Sequence, residues 1–105
     1  MKYFNNALPG ALIPAGITVK MQITTDEARE YLAKIDEPKL GHKDVAAIVG
    51  SELGREIKFE RVTLPPFKAG DEVLVAQYVG PRLPEGATTL PEGASIAYEL
   101  YSFMG

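Results

Sequence analysis

The chain has no cysteine and only one histidine, His42. The missing thiols exclude a disulfide framework and thiolate chemistry, and one imidazole is too few for a structural zinc site. No apolar run approaches the roughly 20 residues that cross a bilayer, and Met1-Lys2-Tyr3 does not begin a signal peptide. An intracellular, cytoplasmic protein without membrane contact is therefore expected. Positive charge is also scarce: 11 Lys and Arg face 14 Asp and Glu, a net charge of −3. Such a balance provides no basic face for long nucleic acid. A small phosphate-bearing ligand is not excluded, since it needs only local positive potential. What remains is a chain of 105 residues, 46% hydrophobic and 24% charged. That is ordinary for one soluble globular domain, here taken as residues 1–105.

Hydrophobic periodicity divides the chain into elements. Lys2 to Asn6 reads as a short strand, and Ala7 to Gly16, with two Pro and two Gly among small apolar residues, as a loop that packs down. Ile17, Val19, Met21 and Ile23 alternate with polar residues as in a half-buried strand. Thr24 and Glu27 have capping-box spacing, which predicts a helix to about Ile35. A second helix is expected from near Gly41 to Leu53, with Gly54 as its stop. Gly50 inside it costs roughly 1 kcal/mol relative to Ala, which points to a close packing partner. Glu56 to Leu64 alternates as a third strand, and Glu72 to Val79 has the nearly continuous apolar character of a strand covered on both faces. Ser95 to Phe103 closes the chain as a final strand. Leu-Pro-Glu-Gly occurs at 83–86 and again at 90–93, a reuse of turn chemistry. The predicted class is α/β (α+β): a single mixed sheet of about five strands with two main helices. Helices on one face leave the other sheet face in need of cover, and a small domain commonly covers it with a second copy of itself.

Chemistry near neutral pH falls to His42, because imidazole alone titrates there unperturbed. Gly41 before it permits a tight turn or close approach of a ligand. The first-turn amides of the helix it opens lack intrahelical partners and favour an anion. Against this stands the plain alternative that His42 is an ordinary boundary residue of a surface helix. Arg82 and Glu85, three apart in a rigid turn, have their own plain reading as a solvated ion pair worth about 0–1 kcal/mol. Asn6 and Gln77 could simply be satisfied polar residues at strand ends.

Taken together, Asn5-Asn6-Ala7 after a first strand, Gly41-His42 opening a helix, a strand ending near Gln77, and Arg82-Leu83-Pro84-Glu85-Gly86 resemble a known family. They are similar to the ring nucleases that archaeal viruses, phages and some bacterial genomes direct against type III CRISPR signalling. The resemblance runs from Tyr3 to the last strand. It implies a small homodimer, without cofactor or metal, that linearises cyclic tetra-adenylate to di-adenylates with 2′,3′-cyclic phosphate ends. It implies His42 as the catalytic histidine, with Arg82 and Glu85 beside it. Asn6, Gly41, Gln77 and Arg82 would then contact the ligand. The chain departs from the family pattern twice. Val79-Gly80-Pro81 adds one residue before the arginine, and Ala87 to Ser95 is short and broken by Pro91 and Gly93 where the family often has a lid helix.

Such chemistry suits the residues. Cleavage of an RNA phosphodiester without metal can use the substrate's own 2′-hydroxyl, if the protein aligns it, stabilises phosphoryl charge and protonates the departing 5′-oxygen. His42 as imidazolium fits the last task, Arg82 the second, and Glu85 can hold the proton on the ring. Two other classes are compatible with the same residues: a non-catalytic protein that sequesters a cyclic nucleotide, and a dimeric interaction module without ligand.

Overall fold

The computed structural model describes residues 1–104 of the chain. Its main sheet contains β1 (Lys2–Asn5), β5 (Glu72–Val79), β6 (Ser95–Met104) and β2 (Ile17–Ile23), in that spatial order. The sheet is mixed: β1 runs parallel to β5, while β6 is antiparallel to both β5 and β2. Two helices, α1 (Thr25–Leu32) and α2 (Lys43–Leu53), complete the α+β architecture expected from the pattern.

Strand content divides as four plus two. β3 (Lys39–Leu40) and β4 (Lys58–Phe59) form a separate parallel pair of two residues each. The predicted strand from Glu56 to Leu64 is thus reduced to Lys58–Phe59, and β3 carries no periodic signal because two residues are too few to show one. Alternation was present in the longer segment, but only Lys58 and Glu60 donate backbone bonds, to Pro38 and Leu40. The helix expected to reach Ile35 ends at Leu32, and its last three residues continue as tighter turns, with Ile35 N–H bonded to the Leu32 carbonyl.

Local signals account for the helix ends. Thr24 and Glu27 exchange both capping-box bonds, at 3.1 and 3.0 Å. Gly54 ends α2 in the left-handed region at φ 65°, a conformation that costs other residues about 1–2 kcal/mol. At the opposite ends, cations serve as caps. Arg29 on α1 donates to the Leu53 carbonyl at 3.0 Å, and Arg55 beyond α2 donates to the carbonyls of Leu32, Ile35 and Asp36. Each helix therefore has its C-terminal carbonyls held by an arginine from the other's neighbourhood, as the macrodipole favours.

The core lies on both sides of the sheet. On one face, α1 and α2 pack Ala28, Leu32, Val45, Ile48 and Val49 against Phe4, Leu74, Ala76 and Tyr98. The other face, expected to be bare, is covered over one half by the chain itself. Leu8, Leu12, Ile13, Leu64 and Phe67 pack on Val73, Val75 and Phe103 there, with Phe67 and Phe103 stacked at 4.9 Å between ring centroids. The remaining half of that face, at the end of β5 where Gln77 and Val79 are exposed, has no such cover among the described residues.

Candidate functional site

The parallel pairing of β1 and β5 brings both strand C-termini to one edge, with Asn5 beside Val75. Asn6 and the end of β5 therefore sit together, and the N-terminus of α2 opens at the same edge. A cavity of about 930 Å³ lies between them. Asn6, His42, Gln77, Arg82 and Glu85 all line it, five of the six residues singled out from the sequence. Gly41 is the exception. It lines a smaller neighbouring recess of about 130 Å³, with Asn5, Glu60 and Arg61.

His42 is the N-cap of α2. Its Nδ1 accepts the Val45 amide at 3.2 Å, and its backbone carbonyl accepts the first helical bond, from Ala46 at 2.9 Å. The ring thus takes the role that Ser, Thr, Asp or Asn usually fills. A nitrogen that accepts carries no proton, so the proton of the capping ring is on Nε2, the nitrogen left open to a ligand. Glu85 does not hold this ring: among the described residues His42 makes no ion pair with any carboxylate. Nor do Arg82 and Glu85 form the turn ion pair that their spacing allows. Glu85 sits at the second position of a turn closed by Ala87 N–H to the Pro84 carbonyl at 3.2 Å, and its side chain is exposed.

The two neighbouring asparagines behave differently. Asn5 spends its side-chain amide on the Ala7 carbonyl at 2.8 Å, fixing the turn out of β1. Asn6 makes no side-chain bond among the described residues and faces the cavity. The arginines divide in the same way. Arg29 caps α2 and pairs with Asp26, and Arg55 caps the end of α1, while Arg61 and Arg82 have no hydrogen-bond or ion-pair partner among the described residues. Arg82 lines the large cavity and Arg61 the adjoining recess, where it lies against Gly41. A Cβ at Gly41 would meet Arg61 Cγ at 3.6 Å, so the contact is close but not forbidding.

The sequence assigned no definite role to three residues at the cavity and its neighbouring recess, Asp44, Tyr78 and Arg61. Asp44, in the first turn of α2, suits the helix dipole but adds negative charge to the cavity beside Glu85. Tyr78 is the aromatic residue of the cavity wall, and its hydroxyl donates to the Pro81 carbonyl. Arg61 stands in phase with Ile57 and Phe59, a charge on the apolar phase of its segment, and that signal could have singled it out. Before Arg82 the chain turns at Gly80, whose φ of 148° and 2.8 Å approach of an added Cβ to Ala94 Cβ leave room for glycine alone. Among the described residues no group of three or more His, Asp or Glu could hold a metal ion, and no helix is long and apolar enough to cross a membrane.

No curated protein matches the chain. Among solved structures, B116 of Sulfolobus turreted icosahedral virus has a similar fold, with a TM-score of 0.74 over 96% of this chain and 97% of that one. The two share 17% identity, a level at which the likeness concerns the fold. A family description, STIV B116-like, matches residues 3–100. That span includes both helices, β5 and every residue of the cavity, so the chain belongs to the STIV B116-like family.

Proposed function

We propose that this protein is a metal-independent ring nuclease that cleaves cyclic tetra-adenylate to linear di-adenylates with 2′,3′-cyclic phosphate ends, and so switches off type III CRISPR signalling in a host cell. One observation carries the reading: five side chains from four separate segments, Asn6, His42, Gln77, Arg82 and Glu85, converge on one cavity. Chance placement of polar strand-end residues would scatter them. The free guanidinium of Arg82 supports it further, because an arginine left unpaired in a cavity suits a phosphate that it can grip in a fork.

In this mechanism the substrate's 2′-oxygen attacks phosphorus and its proton passes to solvent. The bond from phosphorus to the 5′-oxygen breaks, and His42 Nε2 gives its proton to that oxygen. Arg82 and the amides at the start of α2 stabilise the phosphoryl oxygens. An imidazolium carries protons on both nitrogens, so His42 must release the Val45 amide before acting as an acid. A bound phosphate oxygen can take that amide in its place, as anions do at helix N-termini. Cavity charge works against a single protomer binding alone, since Asp44 and Glu85 oppose Arg82. A homodimer with the ligand across its two-fold axis brings two arginines and two histidines to a ring that itself has two-fold symmetry. The uncovered half of the sheet face beside Gln77 and Val79 suits that contact.

The sequestering reading draws on one specific observation, the use of the His42 ring as a structural cap. Incubation with cyclic oligoadenylates of several ring sizes, with and without EDTA, followed by chromatography of the products, decides between them. Di-adenylates with cyclic phosphate ends, formed equally in EDTA, are expected. Tight binding without products indicates sequestration, and neither binding nor products leaves an interaction module.

A further inference from the structure

We infer that Tyr78 is a positioning residue for Arg82, a staple that holds the loop from Gly80 to Arg82 in place at the rim of the ligand cavity. The inference rests on the reading of Arg82 as the anion-binding group. Tyr78 stands near the end of β5, opposite Ile96 of β6, with its ring packed on the helix-side core. Its hydroxyl reaches forward three residues and donates to the Pro81 carbonyl. The chain between is tightly confined. Gly80 adopts φ 148°, and a Cβ there would lie 2.9 Å from Ala94 Cα and 3.3 Å from the Tyr78 hydroxyl.

Arg82 is consequently bracketed. On one side the Pro81 carbonyl is held by Tyr78; on the other Leu83 packs against the core. Proline adds a fixed φ and no donor of its own, so this hydroxyl is the bond that orients the peptide between Pro81 and Arg82. The guanidinium beyond it is free. A backbone held at both flanks with an unpaired side chain is the arrangement in which ordering cost is met before the ligand arrives. Without the hydroxyl, the loop from Gly80 to Arg82 would have to be ordered on binding.

Tyr78→Phe tests this, since it keeps the packed ring and removes one atom. Two measurements are needed, one without ligand. In ¹⁵N relaxation, a rigid backbone amide has an order parameter near ~0.85 and a flexible one below about 0.6. The Arg82 amide is expected to move from the first range to the second in Tyr78→Phe, while the amides of β5 and α2 stay rigid and Tyr98→Phe leaves Arg82 rigid. In binding of cyclic tetra-adenylate, Tyr78→Phe should weaken affinity about tenfold, or ~1.4 kcal/mol, in the wild-type background. It should have no further effect in an Arg82→Ala background, because Tyr78 acts through Arg82. An Arg82 amide that stays rigid, or a Tyr78→Phe loss that persists in full alongside Arg82→Ala, overturns the inference. If the wild-type protein does not bind the ring, the functional proposal fails, and the relaxation measurement still judges the staple.

Discussion

His42 combines two roles that substitution can separate. As the N-cap of α2 it holds the Val45 amide, and replacing a cap by Ala costs about 1 kcal/mol, or about 4 °C in Tm for a domain of this size. As a proton donor it should be worth about 10²–10⁴-fold in rate. His42→Ala is expected to lose both stability and single-turnover cleavage, with the dissociation constant for cyclic tetra-adenylate within about tenfold, since general acid catalysis acts in the transition state. His42→Asn should keep the cap and the Tm while losing cleavage to the same extent. Cleavage at the wild-type rate by either variant would remove His42 from the chemistry. The arginines offer a second separation. Arg55→Ala strips a cation from the carbonyls of Leu32, Ile35 and Asp36 and should cost about 1.5–3 kcal/mol in denaturant unfolding. Arg82→Ala breaks no internal bond and should stay within about 0.5 kcal/mol of the wild type, yet weaken both ligand binding and cleavage.

Among the elements, the repeated Leu-Pro-Glu-Gly-Ala segment provides an internal control. Both copies fold alike. Leu83 and Leu90 pack on the core, Ala87 and Ala94 N–H groups bond to the Pro84 and Pro91 carbonyls, and Gly86 and Gly93 adopt φ 79° and 81°. With no non-glycine residue at positive φ among the described residues, these are type II turns with Gly at the third position. Only the first copy reaches the cavity. In the proposed mechanism the Glu85 carboxylate favours the charged His42 ring once ligand is bound, so Glu85→Gln should slow cleavage, while Glu92→Gln, in the same turn geometry, should not; equal effects would make Glu85 a bystander. In α2, Gly50→Ala gains about 1 kcal/mol of helix propensity. It also sets a Cβ 2.9 Å from the Arg55 carbonyl, whose chain turns back over the helix. Backbone cannot move aside as a flexible side chain can, so the substitution should lower the Tm rather than raise it.

For the whole molecule, association and acid stability are the measurable properties. Light scattering at micromolar concentration is expected to report a dimer; an active monomer would contradict a ligand shared across a two-fold axis. Acid stability depends on Asp71, a buried carboxylate that joins the start of β1 to the start of β5. It accepts the Lys68 amide at 2.9 Å and the N-terminal ammonium at 3.0 Å. The amide first, and then the ammonium, hold its carboxyl below the usual aspartate range. A folded-state value below the unfolded value of about 3.9 means that this stabilisation is present at neutral pH and is lost as pH falls through the folded value. Asp71→Asn should lower the Tm at pH 7 and flatten its decline below about pH 4. Parallel thermal scans of the two proteins from pH 7 to pH 2 check this, and equal slopes at acid pH would exclude Asp71 as a source.

Local rules were legible wherever one short stretch contained the whole cause. The capping box at Thr24, the stop at Gly54, the limits of β5 and the tight packing at Gly50 each depend on residues a few positions apart, and the sequence alone determined them. The candidate site was legible only through the family resemblance: by residue type alone Asn6, Gln77, Arg82 and Glu85 read as ordinary strand-end and turn residues, and it is the fold that sets them with His42 around one cavity. Gly41 lines the neighbouring recess instead, one residue before the N-cap His42. Tertiary structure alone decided the rest. The short β3–β4 pair exists because Pro38 and Leu40 carbonyls are within reach of a distant segment, a fact with no period to announce it. Cover for the second sheet face came from loop residues 8–13 and 64–67, whose apolar content was visible but whose destination was not. The division of the four arginines into two helix caps and two free cations is likewise a matter of which carbonyls lie nearby. Pairing of a long side chain depends on distances across the fold, and no sequence period encodes them.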